Sequence, residues 1–427
     1  MNDTNRHDLS QLWVLMVSAF VSMLGFALIL PLVPLYAQEL GASGLVVGAM
    51  LAAFAFAQLV TAPLWGRLSD RIGRRPVIIL GKVMATVAFL IFAFADQIWL
   101  LLLCRFFQGA GGGTLSATQA YVSDAVGPDE RAKALGWITA CTSAGVMIGP
   151  AIGSLSVGWG MAAPGLIAAA ISAINLVFLV RYLPEHRVPT SKRASARAAS
   201  VPLTTAMLDV LRHPTTPVSV LIAVYGLGMM AFMAMNAVVA IFLADRYGIT
   251  TQTIGWFYVA IGFVSVIMRG LILGAFVRRF GEVRTLRLGL VALGVGLLLA
   301  PFASNAWLFT LLILPVPVGT ALLFPTVTSL VSRHAPADQV GQTLGVQQAF
   351  GGVCRLIAPL GAGWAYDHVL VLLAGAVAMA AYLPAGGAPF WLAGLLALLA
   401  VPLSLHLRPR ADADEVDVEA GTAPAAA

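Results

Sequence analysis

The sequence predicts an all-α membrane protein of twelve transmembrane helices arranged as two pseudo-symmetric six-helix bundles. Three observations carry this. Hydrophobic residues make up 59% of the 427 residues and charged ones only 10%, with a positive mean hydropathy, more apolar surface than a water-soluble globule can hide. Runs long enough to cross about 30 Å of hydrocarbon, at roughly 20 residues each, recur along the chain. Segments of the first half return 208 to 209 residues later, as an internal duplication requires.

The apolar runs fall near 12–37, 46–66, 77–95, 98–122, 134–157, 163–183, 218–243, 254–277, 284–303, 306–332, 342–366 and 389–407. Six precede and six follow a break at 184–217, where five prolines and the basic run Lys192, Arg193, Arg197 interrupt the pattern. The expected organisation is an N-terminal bundle over 1–183, a linker over 184–217, a C-terminal bundle over 218–407 and a disordered acidic tail over 408–427. Within the linker, LTTAMLDVLRH reads either as a short amphipathic helix on the membrane surface or as a solvated connector. Residues 369–388 fit no copy in the first half, and their apolar core of about 15 residues is short for a span; they are expected to form an inserted periplasmic segment. The first run carries no small-residue cleavage signature, so it reads as a span and not as a cleaved signal peptide.

Arg105, Arg269 and Arg355 fall inside predicted spans and Arg246 in a loop on the odd side. Nearly all the other basic residues lie in tails and loops of one side, which the positive-inside rule makes cytoplasmic, with both termini there. The formal net charge of +6 is then a topological signal and an attraction to anionic lipid, not a sign of nucleic-acid binding. The three cysteines, Cys104, Cys141 and Cys354, lie in spans, so no disulfide is expected. No GxxxxGKS or GxxxxGKT loop occurs, so nothing points to ATP use; no cofactor, metal or enzymatic activity is expected.

The second and third spans are joined by Gly66-Arg67-Leu68-Ser69-Asp70-Arg71-Ile72-Gly73-Arg74-Arg75-Pro76. Its glycines allow a tight turn and Asp70 stands where it caps a helix or pairs with an arginine. Gly274 to Gly281 is its copy, with Arg278 where the acid would stand. Span 4 holds Arg105 in LCRFFQGAGG, with Gln108 and Gly109 following. An arginine at that depth costs about 2.5 to 3.5 kcal/mol on insertion scales and marks a pathway or a helix-end bond. Span 5 carries Gly136, Gly145, Gly149, Pro150 and Gly153, and a glycine every four residues leaves one helix face bare for close approach. That face is expected to be the seam on which the halves rock.

These motifs resemble the major facilitator superfamily, and within it the twelve-span drug:proton antiporters that include the tetracycline exporters. The loop is similar to the family's GxLxDRxGRR signature, span 4 to RxxQGxGxG, and span 5 to the antiporter pattern Gx8Gx3GPx2GG, except that Ser154 replaces its last glycine. The resemblance implies that Asp70, shaped by Gly66, Arg71, Gly73, Arg74 and Arg75, latches onto the other half in the outward-open state, and that Arg105 takes part in proton transfer. It implies a proton-driven exporter of drugs or small amphipathic molecules, working by alternating access, a monomer in the inner membrane whose partners are its solute, protons and lipid. The chain departs from the tetracycline exporters in having no acid deep in a span; Glu39, Asp96, Asp245 and Asp367 stand near periplasmic ends. Intramembrane arginines without buried acids suit an anionic solute, so an exporter or exchanger of an anionic metabolite or siderophore is the alternative, and a non-transporting receptor or assembly factor is a third. Cavity candidates are Phe26, Gln119, Tyr121, Asn236, Tyr258, Arg269, Gln347, Gln348 and Arg355.

Overall fold

The computed structural model describes residues 3–114, 118, 121, 128–184, 203–336, 339–376, 384 and 386–407; no strand occurs among them. Gln119, most of the linker and the 408–427 tail lie outside the described residues. The first span is broken in two, α1 (Asp3–Ile29) and α2 (Leu32–Glu39), because Pro31 has no N–H to donate. Then follow α3 (Gly44–Ile72), α4 (Arg74–Ala93), α5 (Ile98–Gly112), α6 (Pro128–Ser156) and α7 (Ala163–Tyr182). The linker contributes α8 (Leu203–Arg212), the helical one of its two readings. Its Leu208 and Leu211 are exposed, as an interfacial helix requires.

The second half holds α9 (Pro217–Tyr247), α10 (Ile254–Ile267), α11 (Leu273–Leu299), α12 (Ala306–Ile313), α13 (Pro315–His334), α14 (Val340–Ala376) and α15 (Ala388–Leu405). A five-residue π turn, Met268–Ile272, joins α10 to α11. Among the described residues nine stretches are long and apolar enough to cross a membrane, one of them 254–302. That stretch is two spans divided at Gly281; with the shorter Ile98–Gly112 and the long α14, twelve spans result. One boundary differs from expectation: α14 does not stop at 366 but runs to Ala376. Its 37 residues at about 1.5 Å each reach roughly 55 Å, well beyond the hydrocarbon, so the start of the 369–388 segment prolongs the eleventh span.

The duplication is visible in the backbone. Gly73, between α3 and α4, has φ 102°, and Gly281, 208 residues on, has φ 74°; both break a helix pair where a side chain would be strained. Where the halves meet, Gly48 of α3 abuts the Pro359 carbonyl of α14, and Gly255 of α10 abuts the Pro150 carbonyl of α6, so a Cβ at either glycine would overlap backbone. These two crossings are copies of each other about the pseudo-twofold axis.

Each crossing is fastened by a side chain from one half capping a helix of the other. The Asp367 carboxylate accepts from Gly44 N at 2.8 Å and Leu45 N at 2.9 Å, at the start of α3. Buried Ser154 Oγ accepts from Gly255 N at 2.8 Å, at the start of α10. Asp245 of α9 adds a third tie, accepting from Gln38 of α2 and from Tyr366 Oη. Contacts between halves continue to mid-helix at Leu59 against Gly352 and Met147 against Gly262; further along, Gly66, Gly270, Gly341 and Gly345 face open space. The halves are therefore closed at the face bearing Asp245 and Asp367 and parted at the face bearing the 66–76 loop.

The span 5 glycines play a different part from the one expected. Gly145, Gly149 and Gly153 meet α1 of their own half, at Phe20, Leu24 and Leu28. A four-residue spacing makes a bare stripe but does not say which neighbour takes it; here the stripe seats α1, and the seam between halves lies on the Met147, Pro150 and Ser154 side. Gly136 faces open space. Large apolar side chains such as Ile174, Val177, Leu271 and Trp307 stand 68–87% exposed, the lipid-facing surface of a membrane protein.

Two predictions follow from this division. Gly153→Ala drives a methyl into the Leu28 carbonyl and lowers the thermal stability of the whole protein, at a cost of about 1–3 kcal/mol, whereas Gly136→Ala leaves it unchanged. Asp367→Ala removes a charged acceptor from two helix-terminal N–H groups, about 1.5–3 kcal/mol, and shifts the population toward opening at that face. Electron-spin distances between labels at Glu39→Cys and Gln252→Cys, one in each half, lengthen in Asp367→Ala and shorten again when Asp367 is restored.

Candidate functional site

The 66–76 loop is a compact knot. Arg74 Nη1 donates to Asp70 at 3.2 Å and to Ser69 Oγ at 2.7 Å, Ser69 Oγ donates to the Gly66 carbonyl at 2.9 Å, and Arg75 reaches the Val180 carbonyl at the end of α7. With the halves parted at this face, Asp70 pairs with an arginine of its own loop. Arg71 is exposed beside it. In the second copy the acid missing at Arg278 stands four residues later: Glu282 pairs with Arg333 at 3.4 Å and accepts from Ser329 at 2.8 Å. Sequence reasoning missed Glu282 because it looked for an acid at the position of Asp70, whereas Glu282 stands at the position of Arg74 and pairs with an arginine of α13, not of its own loop.

Arg105 is fully buried on α5. Its Nη1 donates to Gln108 Oε1 at 3.0 Å, which is the i to i+3 reach of one helix face. Its Nε and Nη2, and Gln108 Nε2, have no hydrogen-bond partner among the described residues. Three buried donors without acceptors are costly unless water or a solute supplies them. Tyr258 of α10, across the seam, is close enough to Arg105 to interact with its charge. Gly109 brings α5 against the backbone of Phe54 on α3, which sets the depth of Arg105 in the bundle.

A cavity of about 150 Å³ lies within the N-terminal bundle, among α1, α3, α4, α5 and α6. Phe26 and Gln108 are on its wall, and Phe26 stacks obliquely on Phe54 with ring centroids 5.3 Å apart. Lys82 of α4 is there too, an intramembrane cation that the sequence reading passed over. Its signal was plain, a lone lysine in VIILGKVMATVAFL, but its nearness to the basic loop disguised it. Among the described residues none that lines this cavity is acidic.

The other cavity candidates are dispersed. Tyr121 is buried among apolar residues at the bundle's end, donating to the Pro184 carbonyl at 2.9 Å; it anchors the end of the last span of its half. Asn236 donates to the Phe232 carbonyl of its own helix at 2.8 Å. Gln347 is buried and donates to Thr328 Oγ1 of α13 at 3.0 Å, a bond between helices. Its neighbour Gln348, about 100° further round the helix, is exposed and meets Tyr225 together with Arg355. Tyr225 was not singled out in the sequence; its ring also packs against Gly351. Arg269 is exposed in the π turn. Among the described residues no cluster of His, Cys, Asp and Glu could hold a metal ion.

Residues 15–359 match the model of the Major Facilitator Superfamily. The chain is 29% identical over 342 residues to a tetracycline resistance protein, class G, of Vibrio anguillarum, covering 79% of this chain and 86% of that protein. It is also 29% identical over 379 residues to multidrug resistance protein 2 of Bacillus subtilis, covering 85% and 91%. Among solved structures, the human organic anion transporter MFSD10 superposes with a TM-score of 0.65 at 22% identity over 93% of this chain and 99% of that one. The nucleoside transporter NupG does so with a TM-score of 0.70 at 15% identity over 93% and 100%; at such identities the likeness is one of fold. The match over most of the chain, on two bundles with copied crossings at Gly48 and Gly255, establishes that this protein is a transporter of the major facilitator superfamily.

Proposed function

We propose that the protein is a proton-driven exporter of drugs or small amphipathic molecules, lying in the inner membrane as a monomer with both termini in the cytoplasm. The observation that carries this reading is the asymmetry of the seam, fastened at one face by Asp367, Ser154 and Asp245 and parted at the other. Such an arrangement is one of the two end states of a rocking carrier. The names of its relatives, resistance proteins for tetracycline and for multiple drugs, support drugs as the solute class, and removal from the cell is the direction that suits resistance. The mostly apolar wall of the cavity beside Phe26 and Phe54 suits an amphipathic solute.

In the cycle we infer, solute enters from the parted cytoplasmic face and takes up the free donors of Arg105 and Gln108. The halves then rock. Asp70 leaves Arg74 for the other half, and the periplasmic ties at Asp367, Ser154 and Asp245 come apart together. Each carboxylate of those ties is a place where a proton arriving from the periplasm replaces a hydrogen bond, since a protonated oxygen no longer accepts as a charge. Coupling therefore runs through membrane-end carboxylates and a buried arginine, without an acid deep in a span.

The test is uptake into inverted membrane vesicles of a tetracycline, chloramphenicol and a cationic dye, with and without an imposed pH gradient. Gradient-dependent uptake is expected in the wild type. In Asp70→Asn and Arg105→Ala it falls roughly tenfold or more, the worth of a charge-assisted hydrogen bond. Uptake indifferent to the gradient would replace the antiporter with a facilitator or exchanger, and absence of flux for all three solutes would refute the drug-exporter reading.

A further inference from the structure

Lys82 stands apart from the machinery above. It is two turns inside α4, on the cavity wall, and its Nζ donates to Ser22 Oγ of α1 at 2.6 Å. That hydroxyl is saturated: it also accepts from Asn175 Nδ2 of α7 at 3.2 Å and donates to the Ser18 carbonyl. A hydroxyl has one proton and two lone pairs, and all three are used. The ammonium has three N–H donors, and Ser22 is the one acceptor it meets among the described residues. The remaining donors open on a cavity whose polar lining is Ser, Thr and Gln and whose aromatic pair is Phe26 and Phe54.

A cation at hydrocarbon depth needs an acceptor or a counter-charge, and among the described residues the walls of this cavity provide no carboxylate. We infer that Lys82 makes the N-terminal-bundle cavity an anion subsite, which receives the carboxylate of an amphipathic solute while the apolar body of that solute lies against Phe26 and Phe54. The subsite selects a class within the exporter reading, organic carboxylates with an aromatic or aliphatic body. It rests on that reading only for the direction of transport. Gln108, on the same wall, links the subsite to Arg105 through its Oε1 and leaves its amide free for a second acceptor of the solute. The subsite and the buried arginine thus share a wall through Gln108.

The test is equilibrium binding to the purified full-length protein, without a gradient, so that it succeeds or fails independently of driven flux. Three probes share the naphthyl body and differ in the head group: the anionic 2-naphthylacetate, its uncharged primary amide, and the cationic 2-(2-naphthyl)ethylamine. The carboxylate is expected to bind at least about tenfold more tightly than the amide, and the amine weakest. Lys82→Gln abolishes the advantage of the carboxylate and leaves amide affinity within about threefold, while Lys82→Arg keeps the advantage. Equal affinity of the three probes in the wild type overturns the proposal. So does a carboxylate preference that survives Lys82→Gln, which would place the anion on Arg105, Arg269 or Arg355. If Lys82→Gln does not fold, Ser18→Asp, which sets a competing carboxylate on the same wall, decides it: loss of the preference supports the subsite and retention refutes it.

Discussion

The arrangement of the two halves depends on helix ends that neither half can satisfy alone. The first N–H groups of a helix have no partner within it, and in a protein surrounded by lipid they must find one in protein or in a water-filled cavity. At the start of α3 that partner is Asp367, and at the start of α10 it is Ser154, each from the opposite half. Capping of this kind is strong enough to hold a state, at about 1–3 kcal/mol per bond to a charged or buried acceptor. It is also weak enough to be given up when solute or protons compete. Close approach at Gly48 and Gly255 supplies the van der Waals contact that lets these bonds form.

Seen this way, Ser154 is not a blemish in a glycine pattern. The sequence departs there from the antiporter motif, and the departure supplies the hydroxyl that fastens the seam. The same economy runs through the second copy of the loop, where the acid is carried at Glu282 and the base at Arg278. Duplicated halves have kept the geometry of their turns, with positive φ at Gly73 and Gly281, while the chemistry at equivalent positions has diverged.

The fold was legible because its cause is coarse. Apolar runs of span length, proline and glycine at the breaks, and a repeat of 208 residues leave few alternatives for twelve helices in two bundles. The candidate site was legible only in part, because orientation around a helix axis is fine-grained. Gln347 and Gln348 are adjacent in sequence, yet one bonds α13 and the other is exposed beside Tyr225. The glycine stripe of α6 announced a tight neighbour without naming it, and α1 took it. Lys82 was hidden by a rule that usually serves: a basic residue a short way inside a span is read as snorkelling toward a basic loop. What keeps it inside is the hydroxyl of Ser22, a partner 60 residues away.

The length of α14 bears on how the two faces of the protein communicate. Gln348 and Arg355 stand beside Tyr225 and Asp367 at the closed seam, all on one continuous helix, with roughly 28 Å of rise between Gln348 and Asp367. Pro359 lies between them, where the helix presses on Gly48 and where its own i to i−4 hydrogen bond is missing. Were the helix to tilt about that crossing, the arm bearing Gln348 and the arm that caps α3 would move in opposite directions. Stiffness in the arms and slack at the proline decide how much of that tilt arrives.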